Sequence, residues 1–164
     1  MISDVAVVDT FYTSLGNRDG EAMAACYHGD VVFEDPAFGE LRGRDAGDMW
    51  RMLCSRSVDL RVEHQILETT ENTARTNWIA NYTFTATGRQ VRNDVVATMK
   101  FVDGKIIDHR DEFNVWKWSS QALGLPGKLF GWSSALKSRV RKTARGNLRA
   151  FQASHPTSPP GPGG

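Results

Sequence analysis

The chain contains the run Lys105-Ile-Ile-Asp-His-Arg-Asp-Glu-Phe-Asn-Val-Trp116, in which the residues at every second position from Ile107 would share one face of a strand. That face carries Ile107 and Phe113, so it is the face expected to pack against the hydrophobic core. It also carries two ionisable residues, His109 and Asp111. Burying ionisable groups costs several kcal/mol unless they are paired or line a wet cavity. The run therefore predicts a strand whose inner face borders a pocket.

A second carboxylate follows the same logic in the segment Val31-Val-Phe-Glu-Asp-Pro36, where Asp35 shares a face with Val31 and Phe33. In an apolar environment the charged form of a carboxyl group is disfavoured, which suits a base that works near neutral pH. The alternative is structural: Asp35 accepts hydrogen bonds from backbone amides in the turn around Pro36. For His109 and Asp111 the corresponding alternative is a buried pair that stiffens the sheet.

Length and composition indicate one soluble globular domain. The chain has 164 residues, 40% of them hydrophobic and 24% charged, with a net charge of +1. The N-terminus lacks the pattern of a secretory signal, and no apolar run is long enough to span a bilayer. Cys26 and Cys54 lie in helix-like stretches and are expected to be reduced core residues. We therefore expect a cytoplasmic protein.

The hydrophobic period changes once along the chain, from helical to alternating. Helices are predicted at 4–15, 21–27 and 44–56, with a short strand at 31–35 and a loop at 37–43 between them. Four long strands are predicted at 58–66, 78–84, 91–101 and 105–116, the last two joined by a hairpin at Asp103-Gly104. This order predicts an α+β domain with N-terminal helices packed on a strongly curved, mostly antiparallel sheet and a C-terminal helical extension. On the inner strand faces we expect His64 to be a hydrogen-bonded core residue.

The C-terminal region differs from the rest in composition. We divide the chain into a domain at 1–117, a basic amphipathic helical extension at 118–152 and a disordered Pro/Gly-rich tail at 153–164. The extension is predicted to end in a helix that begins after Ser133 or Ser134 and runs through Phe151. It could contact an anionic membrane weakly, close over the pocket as a lid, pack on a second subunit, or pack on its own sheet. Nucleic-acid binding is not expected, because no reading motif is present.

Three segments resemble the SnoaL-like branch of the nuclear transport factor 2-like superfamily, which includes ketosteroid isomerases and polyketide cyclases. They are Leu15–Tyr27, Asp30–Pro36 and Phe101–Ile107. The resemblance implies a cone, in which a curved sheet wraps around a long helix and leaves an apolar pocket at the open end. It also implies that dimers formed through the sheet are frequent, and Arg110, Glu112 and Trp116 are the candidates for that face.

The resemblance also bears on chemistry. Asp35 aligns with the general base of ketosteroid isomerases, but their oxyanion-hole tyrosine aligns with Phe11, beside Tyr12, and their second donor aligns near Ala97. Loss of such donors removes a large catalytic term, which argues against steroid isomerisation by that mechanism. His109 and Asp111 align with pocket-facing positions used for acid–base chemistry in related enzymes.

The sequence thus predicts a pocket protein that acts on a small hydrophobic molecule without a cofactor or a metal. Asp35 is the expected base, His109 the acid–base partner and Asp111 the residue that orients it. The reaction classes are isomerisation, cyclisation, and hydration or dehydration of a polyketide-, terpenoid- or steroid-like compound. The alternative is a non-catalytic ligand-binding or dimeric interaction module of the same fold. The residues expected to contact ligand are Tyr12, Phe33, Trp50, Trp78, Tyr82, Asn93, Met99 and Phe113.

Overall fold

The structure, a computed structural model, describes residues 3–156. Its helices are α1 (Asp4–Gly16), α2 (Gly20–Ala25), α3 (Arg44–Arg56), α4 (Val115–Leu123), α5 (Leu125–Phe130) and α6 (Ser134–Ser154). Its strands are β1 (Tyr27–Asp35), β2 (Gly39–Arg42), β3 (Arg61–Thr69), β4 (Thr73–Phe84), β5 (Arg89–Val102) and β6 (Lys105–Glu112). The predicted α+β class is confirmed. We call residues 3–112 the body. From here on, the extension means residues 113–156, which include the segment 118–152 predicted from the sequence.

The six strands form one sheet in the order β2-β1-β6-β5-β4-β3. All neighbours are antiparallel except β1 and β6, which are parallel, so the sheet is open and mostly antiparallel as predicted. The hairpin between β5 and β6 turns at Asp103 and Gly104, whose φ angles of 54° and 75° suit a two-residue turn. Register places Met99 opposite His109 and Ala97 opposite Asp111. These side chains therefore share the inner, concave face.

The N-terminal helices close the inner face of this cone. Ser3 caps α1 by accepting a hydrogen bond from the Ala6 amide at 3.2 Å, and Asp19 caps α2 in the same way. Helix α1 buries the apolar stripe that its spacing predicts, including Val8 and Phe11. The core lies between these helices and the sheet.

Several boundaries differ from the sequence-based expectation. Strands β3 and β4 begin at Arg61 and Thr73 instead of 58 and 78, and three further differences bear on the site or the sheet. Tyr27 begins β1 instead of ending α2, because a register shift between Tyr27 and Val32 lets the strand start before the apolar alternation does. The predicted loop at 37–43 contains the short strand β2, which pairs with β1. Strand β6 ends at Glu112, because Asn114 caps α4 by accepting a hydrogen bond from the Lys117 amide. Trp116 is therefore helical and does not lie on the sheet face where we expected it.

The extension packs on the body at two places. Helix α4 lies along the hairpin of β4 and β5, where the Trp118 indole donates to the Tyr82 hydroxyl at 2.8 Å and Arg89 donates to the Gln121 carbonyl at 2.8 Å. The second half of α6 packs near α3 and β2 and buries Leu148 and Phe151 in the core. The predicted helix start is confirmed, since Ser133 caps α6.

Helix α6 continues to Ser154, three residues beyond its predicted end, and residues 157–164 of the predicted disordered tail lie outside the described part. Among residues 3–156, no helix combines the length and the apolar character that crossing a bilayer requires.

Candidate active site

The centre of the cone holds a buried histidine–carboxylate pair on β6. His109 is completely buried and Asp111 is 5% exposed. His109 Nε2 lies 2.9 Å from Asp111 Oδ1. Both side chains face inward because they are two residues apart on one strand, as the alternation predicts. The spacing of two residues allows either a direct contact or a bridging water, and the structure has the direct contact.

A tyrosine completes the pair from β1. The Tyr27 hydroxyl lies 2.8 Å from His109 Nδ1 and accepts a hydrogen bond from Trp50 Nε1 at 2.7 Å. An indole nitrogen can only donate, whereas a hydroxyl can accept one hydrogen bond and donate another. In the tautomer that carries its proton on Nε2, Tyr27 donates to Nδ1 and the imidazole donates to Asp111. In that tautomer a directed chain runs from Trp50 through Tyr27 and His109 to Asp111.

Aromatic rings enclose the imidazole on several sides. Phe11 and Phe33 meet it edge to face with centroids 5.4 and 5.1 Å away, and Trp50 lies nearly parallel to it at 6.2 Å. Both ring nitrogens are occupied by protein partners, and none of the ring is exposed. In this arrangement His109 does not reach a substrate directly; it holds Asp111 and Tyr27 in place.

Asp111 has a second donor from the neighbouring wall. Trp78 Nε1 approaches Asp111 Oδ1 at 3.4 Å, so this oxygen accepts from both the indole and the imidazole. The Asp111 carboxyl is thus held between two ring nitrogens, one from β6 and one from β4.

Asp35 lies at the end of β1, close enough to the His109–Asp111 pair for the charge of Asp111 to affect the pKa of Asp35. Burial raises the pKa of the Asp35 carboxyl from 3.8 to about 7, the Phe38 amide opposes that rise, and the negative charge of Asp111 adds to it. The Phe38 amide donates to Asp35 Oδ1 at 2.6 Å. The backbone contact that defines the structural alternative for Asp35 is therefore present, and the same carboxyl is also poised to exchange a proton near neutral pH.

Tyr12 brings an unused polar group to the site. Its hydroxyl is buried and has no hydrogen-bond partner within residues 3–156. Its ring stacks on His64 at 5.3 Å and tilts against Trp78 at 5.6 Å. Burial raises the pKa of Tyr12 well above its ordinary value, so the hydroxyl remains a donor. His64 itself pairs with Asp9 at 2.8 Å, in keeping with the hydrogen-bonded role expected for it.

The other predicted lining residues divide into two groups. Phe33, Trp50, Trp78 and Met99 are buried around the His109–Asp111 pair. Tyr82, Asn93 and Phe113 are half-buried farther along the inner face, and α4 covers Tyr82 through Trp118.

Two surface clefts lie away from these residues. One is bordered by α1 and the β5–β6 turn, the other by α2, α3 and the end of α6. Within residues 3–156 no three His, Cys, Asp or Glu side chains are grouped to hold a metal ion.

Sequence reasoning missed Tyr27, which the structure joins to both Trp50 and His109. The helical composition of Glu21 to Tyr27 predicts a helix through this residue. The irregular register at the start of β1 hides the strand alternation that would have placed its side chain inward. Only the parallel pairing of β1 with β6, a long-range feature, brings Tyr27 beside His109.

A model of the SnoaL-like domain matches residues 8–109, which is more than half of the chain. The comparison with curated proteins found no match.

Solved structures share the fold at low identity. A proposed polyketide cyclase from Xanthomonas campestris has a TM-score of 0.63 at 18% identity, over 72% of this chain and 95% of that one. An epoxide hydrolase from M. tuberculosis has a TM-score of 0.59 at 23% identity, over 77% and 94%. A Catenulispora acidiphila protein with a ketosteroid isomerase-like fold, in complex with trimethylamine, has a TM-score of 0.61 at 14% identity, over 74% and 95%.

Proposed function

Because this chain belongs to the SnoaL-like domain family, we propose that it binds a small hydrophobic molecule inside the cone and catalyses cofactor-free acid–base chemistry on it. The substrate class is a polyketide-, terpenoid- or steroid-like compound with carbonyl or hydroxyl groups. The reaction is an isomerisation, cyclisation, hydration or dehydration. The names of the similar structures, a proposed polyketide cyclase and an epoxide hydrolase, agree with this range.

The observation that carries the proposal is the pairing of two carboxyl groups in different environments at one end of β1 and β6. Asp111 is buried and contacts two ring nitrogens, whereas Asp35 is half-buried, accepts a hydrogen bond from a backbone amide, and has its pKa raised to about 7. Two carboxyl groups with separated roles are the usual basis of acid–base assignments. In its ionised form, Asp35 takes a proton from a substrate carbon next to a carbonyl group. The neutral carboxyl that results then gives the proton back to the substrate.

The proposed roles of the remaining residues follow from their contacts. His109 is a positioning residue, since its two ring nitrogens are bound by Tyr27 and Asp111. The Tyr12 hydroxyl, buried and unpartnered among the described residues, would donate to a ligand oxygen. A buried donor without a partner costs about 1–3 kcal/mol, which a bound oxygen would recover.

Deuterium exchange tests the proposal with simple ketones in place of the natural substrate. The protein is incubated in D₂O with a panel of hydrophobic ketones, and deuterium incorporation beside the carbonyl is followed by NMR. We expect incorporation above the buffer rate, rising with pH through about 7 as Asp35 ionises. Asp35→Asn should return the rate to background. Glu34→Gln is the matched control, because the neighbouring Glu34 pairs with Arg110 instead of facing inward.

The alternative function is non-catalytic binding, and the enclosed His109 favours it. A completely buried imidazole with both nitrogens occupied is also what a purely structural pair would look like. In that case ketones or larger apolar ligands bind saturably, with no exchange and no effect of Asp35→Asn on the rate. If no member of the panel binds and none shows exchange, both versions of the proposal are overturned.

We also propose that the chain forms a homodimer through the outer face of the sheet. Arg110 lies on that face and pairs within its own chain with Glu34 at 2.9 Å and Asp108 at 3.2 Å. Exposed pairs of this kind contribute little to stability, so replacing them with partners on a second copy would cost little. Sedimentation velocity should give twice the chain mass, and the double variant R110E/E112K should shift the protein towards monomer. A wild-type monomer at all accessible concentrations contradicts this proposal.

A further inference from the structure

The extension exposes an apolar cluster formed by Trp116, Leu125, Leu129, Phe130 and Trp132. These five are 44–71% exposed, and they make up more than half of the large exposed apolar side chains of the described chain. Scattered exposed apolar residues are ordinary, but a concentration of them in one segment is typical of an interaction surface. Four of these five lie between residues 125 and 132. The body, although larger, contributes only four such residues within 3–112, which are Val5, Val58, Leu67 and Val102.

Local packing is the reason that the apolar cluster faces outward. Gly127 of α5 lies against α4 so closely that a Cβ there would fall 1.9 Å from the Ser119 carbonyl oxygen. Leu125 and Leu129 lie on the opposite side of this one-and-a-half-turn helix. The Trp132 indole donates to the Leu129 carbonyl at 2.9 Å. The Trp116 indole donates to the Lys128 carbonyl at 3.0 Å. The polar atoms of both indoles are thus satisfied while their rings remain open to solvent.

Charge is divided between the two parts of the chain. The 52 residues after Glu112 contain eight Lys or Arg and no Asp or Glu, whereas the first 112 residues contain twelve Lys or Arg and nineteen Asp or Glu. Lys128, Lys137, Arg139 and Lys142 are exposed, and their side chains have no hydrogen bond or ion pair to any residue within 3–156. An acidic body therefore carries a basic and apolar extension.

We propose that the apolar cluster and these four basic residues dock the protein on the surface of an anionic lipid bilayer. Lys and Arg would meet lipid phosphates while the Leu, Phe and Trp side chains enter the boundary of the acyl chains. The acidic body is repelled by the same surface, which leaves the extension as the side that approaches. A nucleic acid would match the charge but leave the aliphatic side chains unused. This inference goes beyond the proposed function and does not depend on it.

Vesicle co-sedimentation tests the proposal with the full-length chain. We expect pelleting with phosphatidylcholine vesicles that contain about one-third phosphatidylglycerol, and little pelleting with phosphatidylcholine alone. Binding should weaken when the salt concentration rises from about 0.05 M to 0.5 M, because exposed charges are screened. Brominated lipids should quench tryptophan fluorescence, which reports contact of the indole rings with the acyl boundary.

Matched variants separate the two components of the surface. The charge reversals K137E/R139E/K142E should lower vesicle partitioning by about fivefold or more for each residue changed. The control R75E/R92E/K100E makes the same change in net charge with exposed residues of the body and should have a much smaller effect. L129S/W132S should also reduce binding at least tenfold, whereas V58S/L67S, which alters exposed apolar residues of the body, should not.

Three outcomes would overturn the proposal. They are equal binding to neutral and anionic vesicles, an effect of the body variants as large as that of the extension variants, and binding to a single-stranded RNA or to a second copy of the chain without binding to vesicles. Circular dichroism of each variant confirms that the fold is intact, since every altered side chain is exposed.

Discussion

The body and the extension place apolar and charged side chains in opposite ways. In the body, ionisable groups such as His109 and Asp111 lie inside, each with partners, and the large apolar residues surround them. In the extension, basic side chains lie outside without ion pairs among the described residues, beside exposed Trp132 and Phe130. Burial energies determine the first arrangement, since an unpaired group in the interior is costly. The second gains little from the fold itself, which is what the proposed docking of the extension on a bilayer would explain.

The largest effect should follow from removing the centre of the body. His109→Ala leaves the Tyr27 hydroxyl and the Asp111 carboxylate without their shared partner and opens a cavity between Phe11 and Phe33. We expect a loss of about 3–5 kcal/mol in the free energy of unfolding, measured by urea denaturation. His155→Ala, the corresponding change in the extension, should cost about 1 kcal/mol, because the residue is exposed and its ring stacks on Phe151 at the end of α6. A loss below about 1 kcal/mol for His109→Ala would contradict the picture of a tightly coupled interior.

The second prediction concerns pH and the desolvated carboxyl of the body. The folded-state pKa of Asp35, about 7, lies above its ordinary value of 3.8, so the folded state retains a proton that the unfolded state releases. The resulting destabilisation is absent below about pH 4, grows between about pH 4 and 7, and is complete above pH 7. Asp35→Asn removes it, so the variant should gain about 2–4 kcal/mol relative to wild type across that range.

Urea midpoints of both proteins at several pH values would measure this difference, and the carboxyl carbon shift of Asp35 would report its titration directly. No basic residue of the extension is among the groups that shift the pKa of Asp35. K142A should therefore leave the pH dependence unchanged. A difference between wild type and Asp35→Asn that does not vary with pH would show that the carboxyl is ordinary.

The sequence indicated the body well because its signals are local. The alternation in β5 and β6 and the Asp103-Gly104 turn each reflect a short-range rule, and the structure has both. The contact of His109 with Asp111 was predictable for the same reason, since two residues apart on a strand means one face. The contact of Tyr27 with His109 was not predictable, because the two residues are 82 positions apart and a parallel strand pairing brings them together.

The extension was harder to predict for a different physical reason. Helix α5 begins at Leu125 with Pro126 in its first turn and contains Gly127, which local rules interpret as a break. Proline is tolerated in a first helical turn, and the glycine is used for the close approach to Ser119. Only the packing of α5 on α4 distinguishes such a helix from a loop.

Two glycines, one in the body and one in the extension, allow the steric tolerance of the two parts of the chain to be compared. A Cβ at Gly20 would lie 2.6 Å from the Arg51 Cα, and a Cβ at Gly127 would lie even closer to the backbone of Ser119. Gly20→Ala forces α2 and α3 apart within the core and should cost about 1–3 kcal/mol in urea denaturation. Gly127→Ala should leave the urea midpoint nearly unchanged and instead increase hydrogen exchange in α5. Equal losses of global stability in both variants would mean that α5 folds as part of the same cooperative unit as the body.

The smallest predicted effect on the free energy of unfolding distinguishes the two halves of α6. Arg145 donates to the Phe38 carbonyl at 2.7 Å and to the Glu40 carbonyl at 2.9 Å, so it joins the helix to the end of β1 and to β2. Hydrogen bonds from a charged donor contribute about 1.5–3 kcal/mol when buried, and partial exposure reduces this, so Arg145→Ala should cost about 1 kcal/mol. Arg139→Ala, in the exposed first half of the same helix, should change stability by less than about 0.5 kcal/mol. Urea denaturation of the two variants at low and high salt would measure both values. A larger loss for Arg139→Ala would mean that this side chain binds the body, and the separation between an anchored half and a free half of α6 would then fail.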